Sequence, residues 1–335
     1  MISQPKFWKN RNFISDILLP LSFFYILISS FKNYFEKKFQ SKLTIICVGN
    51  LTIGGSGKTP TVIYIAELLK TINYNVTILL KGYGGALKGP LRVTQKNTSS
   101  DVGDEALLHS RINETWISNI RSKGVQLIEG VDKKNNLIIM DDGLQNNSVE
   151  KDINIAVFDG EEGIGNGRVI PSGPMRENLK FGLKKIQIVL IIGEDKSNIN
   201  NLIKLTNNKI KIFYATFEPD IKIIKNFKNK KIIAFAGIGF PNKFYHLLKK
   251  MNFNVLETKD FPDHHMYKKN ELNLLVHKSK LLNATLVTTE KDYVKIDEME
   301  DEIKRNILPF PVKLKIQKEE IFKKELKKAI HEKSK

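Results

Sequence analysis

The sequence predicts an α/β fold: a mostly parallel sheet with helices on both faces, a second, smaller α/β/α domain after it, and an apolar helix before it. Three observations predict this. Short β-branched runs alternate with longer helical stretches, the pattern of a parallel sheet covered by helices. A glycine-rich turn separates the first such run from the first helical stretch. A fresh set of apolar runs begins after the polar interval at 222–229.

The expected strands of the first set are LTIICVG (43–49), NVTILL (75–80), NLIIMDD (136–142), INIAVFD (153–159) and IQIVLIIG (186–193). The helical stretch PTVIYIAELLK follows the first of them, and Pro60 is acceptable in its first turn, where a missing N–H breaks no bond. The second set holds KIIAFAG (231–237), a helix over 242–251, FNVLET (253–258), a helix over 269–280 and ATLVTT (284–289). The tail KEEIFKKELKKAIHEK reads as a charged amphipathic helix, most simply a solvated surface element. The expected organisation is an N-terminal membrane-associated helix in 1–40, a nucleotide-binding domain in 41–228 and a smaller α/β domain in 229–335 that closes a cleft.

At 335 residues the chain suits two compact units. Its single cysteine, Cys47, excludes an internal disulfide and a cysteine zinc cluster. The net charge of +18 fits an anionic membrane surface, a phosphorylated substrate or simply lysine-rich solvated faces. The lysines are spread along the chain with no RNA-binding aromatic signature, which argues against nucleic acid.

The uncharged run from Ile17 to Phe31 is short for a straight bilayer span. Lys6, Lys9 and Arg11 precede it and Lys32, Lys37, Lys38 and Lys42 follow, so the flanks give no orientation. No small-residue cleavage site follows, which disfavours a signal peptide. A buried core helix and a membrane anchor remain. Phe23, Phe24 and Tyr25 between cationic flanks favour the anchor, with Pro20 bending it early.

The segment from Gly49 to Thr59 carries the clearest chemistry. The phosphate-binding P-loop pattern is Gly, four residues, then Gly-Lys-Ser/Thr. Gly57, Lys58 and Thr59 supply its end, and Thr52 stands where the first glycine belongs. The loop of Thr52, Ile53, Gly54, Gly55, Ser56, Gly57, Lys58 and Thr59 would turn its N–H groups toward phosphate oxygens. Lys58 would reach the β- and γ-phosphates of ATP, and the Thr59 hydroxyl would ligate Mg²⁺. A metal partner is expected at the end of another strand, where an apolar run meets Asp141 and Asp142 in the Walker-B arrangement. Asp159, ending a second strand, is the weaker rival.

These segments resemble the tetraacyldisaccharide 4′-kinases, the lipid A 4′-kinases of Gram-negative bacteria. The resemblance is carried by VGNLTIGGSGKTP (48–60), KGYGG (81–85), VGDEALL (102–108), DDGLQ (141–145), GNGRVIPSGPMRE (165–177), FPDHHMY (261–267) and TTEKD (288–292). One departure is Lys81, where an Arg would be expected. The resemblance implies transfer of the ATP γ-phosphate to the 4′-hydroxyl of a tetraacylated glucosamine disaccharide 1-phosphate, at the cytoplasmic face of the inner membrane. It also implies two α/β/α domains with the site in the cleft between them.

On that resemblance, Asp104 would act as base for the sugar hydroxyl, assisted by His264. Read alone, Asp104 is more simply a cap of the helix beginning at Glu105, and His264 and His265 are surface histidines. Arg176 and Glu177 follow a Gly/Pro-rich loop of the kind that places side chains at a site. Arg176 would bind phosphate or form a surface salt bridge, Gln145 would orient substrate or water, and Glu105 would help with Mg²⁺ or substrate. The TTEKD segment has no role beyond loop structure on this reading. Two other readings stay open: a membrane-associated P-loop ATPase or switch, and a soluble P-loop kinase of a small metabolite.

Overall fold

The computed structural model describes residues 5–131, 137–220, 224–225, 227 and 229–333. Asn136, half of the polar interval at 222–229 and the chain ends at 1–4 and 334–335 lie outside the described residues.

Among the described residues nine strands form the larger sheet: β1 (Thr44–Gly49), β2 (Val76–Leu80), β3 (Leu91–Arg92), β4 (Glu114–Ile117), β5 (Leu137–Asp141), β6 (Ile153–Asp159), β7 (Ile188–Ile192), β8 (Lys211–Pro219) and a strand from the C-terminal region described below. β1 lies between β5 and β6, and every one of its residues is buried. A strand covered on both faces must be apolar throughout, which is why TIICV shows no alternation. β1, β2, β4, β5, β6, β7 and β8 run parallel, and β3 pairs antiparallel with β4. After β1 the chain steps to β2 on one side, returns to β5, then crosses to β6 on the other. β1 therefore stands at a topological switch point, where open α/β sheets carry their ligand crevice.

A second sheet has the order β10, β9, β11, β12, from β9 (Lys231–Ala236), β10 (Asn254–Asp260), β11 (Ala284–Thr289) and β12 (Ile307–Phe310). All of its neighbours are parallel. Each sheet has a buried apolar cluster on either face.

The C-terminal region departs from the sequence reading. β13 (Val312–Ile316) pairs antiparallel with β8, at the edge of the larger sheet. The helix Glu319–Lys333 then buries Phe322, Leu326 and Ile330 in the larger sheet's core. The tail is thus one apolar face sealed against that core rather than a solvated element. The chain after residue 311 joins the first sheet, not the second.

At the N-terminus, α1 (Phe13–Ile17) and α2 (Leu19–Phe35) replace one continuous run. Pro20 falls in the first turn of α2, where it starts the helix instead of bending it. At 1.5 Å per residue α2 is about 25 Å long, short of a ~30 Å hydrocarbon core. Among the described residues no helix is long and apolar enough to cross a membrane.

One side of these helices is tied down. Ser22 Oγ donates to the carbonyl of Val169 and accepts from Ser172 N–H, at 2.8 and 3.1 Å. Trp8 Nε1 donates to the Pro171 carbonyl at 2.9 Å, and Arg168 Nη1 donates to Ser15 Oγ at 2.9 Å. The other side is open: Phe13, Ile28 and Phe31 are 77, 71 and 69% exposed.

Candidate active site

α3 (Lys58–Lys70) starts directly after the glycine-rich loop, with Gly57 at φ 84° closing the turn. That left-handed conformation favours glycine. A Cβ there would also lie 2.6 Å from Ile192 Cδ1. Asn50 Nδ2 donates to the Gly54 carbonyl at 3.3 Å, bracing the loop from beneath. Ser56 Oγ is buried with no hydrogen-bond partner among the described residues. The loop is held from its flank as well, because Ile53 N–H donates to the Pro174 carbonyl at 2.8 Å. The 165–175 loop therefore touches α1 and α2 at one end and the glycine-rich loop at the other. Trp8, Lys9, Gly54 and Phe240 line a crevice of about 30 Å³ beside it.

The carboxyl ends of the second sheet's strands deliver the opposing wall. After β9, the turn at Gly239 comes so near that an added Cβ would sit 3.2 Å from Gly55 N. After β10, His264 adopts φ 59°, a left-handed conformation uncommon for a non-glycine residue. Its Nδ1 lies 2.9 Å from Asp104 Oδ2 and 3.1 Å from Oδ1. After β11, the short helix Glu290–Tyr293 brings Lys291 Nζ to 3.0 Å from Glu105 Oε1 and 3.4 Å from His264 Nε2. His265 turns elsewhere, stacking on Phe261 and bonding Glu271 Oε2 at 2.9 Å.

Asp104 opens the helix Asp104–Ser110, and its Oδ1 also accepts the Glu105 N–H at 2.8 Å. Burial by itself would raise the Asp104 carboxyl. The His264 hydrogen bond and the Lys291 charge outweigh burial and hold it below its ordinary value. Glu105 follows the same logic: against burial, the charges of Lys291 and Lys58 hold it well below the usual carboxylate range. Lys291 is pushed the other way. Burial opposes its charge, but Glu105, Asp104 and Asp263 raise it above an ordinary lysine. Lys295, fully buried, bonds Asp292 Oδ1 at 2.7 Å and lies 3.8 Å from Asp104 Oδ2.

The paired aspartates at the end of β5 diverge. Asp141 is buried and meets His109 Nε2 at 2.8 Å, and burial raises its carboxyl. Asp142, at φ 54°, turns the opposite way, with Oδ1 2.8 Å from Arg176 Nη1 and Oδ2 3.8 Å from Lys58 Nζ. Gln145 Nε2 donates to Glu177 Oε1 at 2.8 Å and to the Asn50 carbonyl at 3.1 Å. Lys185 pairs with Glu177 at 2.9 Å, so Glu177 is committed to bracing the loop. Asp159, the rival strand end, pairs with Lys243.

Among the described residues no three His, Cys, Asp or Glu side chains form a metal-ready cluster. Magnesium commonly takes only one or two carboxylates plus substrate phosphates, so the donor chemistry of Thr59, Asp142, Asp141 and Glu105 suits it. The unpartnered Ser56 hydroxyl beneath the glycine-rich turn, and the unpartnered Asp141 Oδ1, fit a site that receives a charged ligand.

Sequence reasoning missed Lys291, Lys295 and His109. The TTEKD segment signalled the first, but only the fold shows that a strand end carries it onto Glu105.

The fold and site define a class: α/β proteins in which a glycine-rich loop opens the first helix after the central strand and faces an Asp–His pair. Comparison with known proteins narrows it. The sequence model of the family described as tetraacyldisaccharide-1-P 4′-kinase matches residues 14–331. A tetraacyldisaccharide 4′-kinase of Rickettsia bellii is 36% identical over 326 residues, covering 96% of this chain and 98% of that one. One from Bradyrhizobium diazoefficiens is 36% identical over 313 residues, covering 93 and 91%. A crystal structure of LpxK from Aquifex aeolicus in complex with ATP superposes with a TM-score of 0.75 at 27% identity, covering 95% of this chain and 99% of that one. The chain belongs to the tetraacyldisaccharide-1-P 4′-kinase family.

Proposed function

We propose that this protein is an ATP-dependent kinase of lipid A biosynthesis. It transfers the γ-phosphate of ATP to the 4′-hydroxyl of a tetraacylated glucosamine disaccharide 1-phosphate. The observation that carries this reading is the Asp104–His264 contact, which brings an acid–imidazole pair into the cleft that holds Lys58.

On this reading residues 52–59 bind the triphosphate through backbone N–H groups, and Lys58 neutralises the transferring group. Thr59, Asp142, Asp141 and Glu105 are the residues that would hold Mg²⁺. When bound, it would supply charge neutralisation to the phosphates. Asp104 accepts the proton of the sugar hydroxyl as the new phosphorus–oxygen bond forms, and His264 orients its carboxylate. Arg176 shares Asp142 with Lys58 and stands ready for a phosphate oxygen. Gln145 and Glu177 set that loop's position.

The membrane side of the proposal rests on the open face of α1 and α2. Phe24, Leu27, Ile28 and Phe31 form an apolar surface between cationic flanks, suited to lying in the interface of an anionic inner membrane from its cytoplasmic side. Acyl chains of the substrate could then stay in lipid while the sugar reaches the cleft. The two α/β units act as separate domains that close on the substrate.

The test is incubation of the purified protein with γ-labelled ATP and the disaccharide 1-phosphate in detergent. Label in a bisphosphorylated lipid is expected. Label released only as inorganic phosphate would overturn the assignment.

A further inference from the structure

We propose that Lys291 is a positioning residue of the acceptor side: its ammonium, 3.4 Å from His264 Nε2, fixes the imidazole as the tautomer whose Nδ1–H donates to Asp104. The proposal rests on reading Asp104 and His264 as the acceptor-side pair.

The geometry leaves little choice of proton. A lysine ammonium has three donors and no acceptor, so the ring nitrogen facing it must offer a lone pair. His264 Nε2 is that nitrogen. Its partner Nδ1 then carries the hydrogen and points at both oxygens of Asp104. The competing arrangement needs Nε2–H aimed at a carboxylate. Among the described residues the carboxylate paired with Nε2 is Asp263 Oδ1, at 3.8 Å and beyond hydrogen-bond reach.

Lys291 is itself fixed. Its Nζ bonds Glu105 Oε1 at 3.0 Å and lies 4.0 Å from Asp104 Oδ2. The helix Glu290–Tyr293 that carries it is pinned by Asp292, which accepts the Gly237 N–H at 3.0 Å. The consequence concerns proton traffic. With Nδ1 already protonated, the hydroxyl proton of the acceptor goes to Asp104, and His264 serves as a donor that steadies the carboxylate.

The test is the nitrogen-15 spectrum of histidine-labelled protein, with the His264 signal assigned by its loss in His264→Gln. Wild type should show a protonated Nδ1 and an unprotonated Nε2. Lys291→Met should shift the ring toward a mixture and lower kcat by about ten- to a hundredfold, with KM for ATP little changed. Lys291→Arg should restore the spectrum and most of the turnover. A wild-type spectrum with Nε2 protonated would overturn the proposal without any variant. An unshifted tautomer and undiminished kcat in Lys291→Met would do the same. Because the spectrum needs no substrate, it stands apart from the kinase assay, whose failure would instead sink the reading beneath it.

Discussion

His264 and Asp104, 160 residues apart in the chain, meet through Nδ1 and Oδ2 at 2.9 Å, and the contact joins the loop after β10 of the second sheet to the helix Asp104–Ser110. A carboxylate serving as base at this point matters to proton transfer and little to donor binding. Asp104→Asn is expected to keep ATP affinity while lowering turnover by at least about a hundredfold. Steady-state kinetics with a separate nucleotide-binding titration check this. Lost ATP binding would move Asp104 to the metal side.

The same carboxylate has a pH signature. Its native value is lowered relative to the unfolded chain, so its contribution to stability is present at neutral pH and above the unfolded value of about 4. It is lost as the pH falls through the native value. The melting-temperature deficit of Asp104→Asn should therefore be largest near pH 7 and shrink below pH ~4. A deficit that stayed constant into acid would show that the charge is not what stabilises.

Lys58 sits 3.8 Å from Asp142 Oδ2 at the first turn of α3. Lys58→Ala is expected to cost at least a hundredfold in kcat, about 3 kcal/mol of barrier. Retained turnover in the folded variant would remove the phosphate role from the loop.

The tail helix offers a test of the fold itself. Phe322 is fully buried in the larger sheet's core. Phe322→Ala should destabilise by about 3–5 kcal/mol, whereas a surface substitution stays within roughly 0.5 kcal/mol. Denaturant unfolding separates the two.

The open face of α1 and α2 predicts membrane affinity. Replacing Phe24 and Phe31 with Glu should reduce co-sedimentation with anionic vesicles several-fold and leave ATP binding unchanged, since these side chains point away from the body of the protein. Undiminished sedimentation would assign membrane contact to another surface.

What the chain revealed before folding was uneven, for physical reasons. The glycine-rich loop was legible because φ > 0 at Gly57 and the run into Lys58 are local requirements, written in adjacent residues. The large parallel sheet was legible because strands buried on both faces must be uniformly apolar. The tail helix carried its apolar spacing at Phe322, Leu326 and Ile330, but which surface would cover that face depends on β13 returning to β8. In sequence Asp141 stood first as the metal partner, with Asp142 close behind. The left-handed turn at Asp142 separates them, giving one to His109 and the other to Lys58 and Arg176. Lys291 lay in a flagged segment, TTEKD, but its role was not legible because its neighbours Glu105 and His264 come from other elements.

The most direct measurement of the central claim is the position and stoichiometry of the transferred phosphate. Phosphorus NMR of the product should show one new phosphomonoester at the 4′ carbon of the disaccharide for each ATP consumed. Phosphate at another hydroxyl, or ATP consumed without a new ester, would contradict the account.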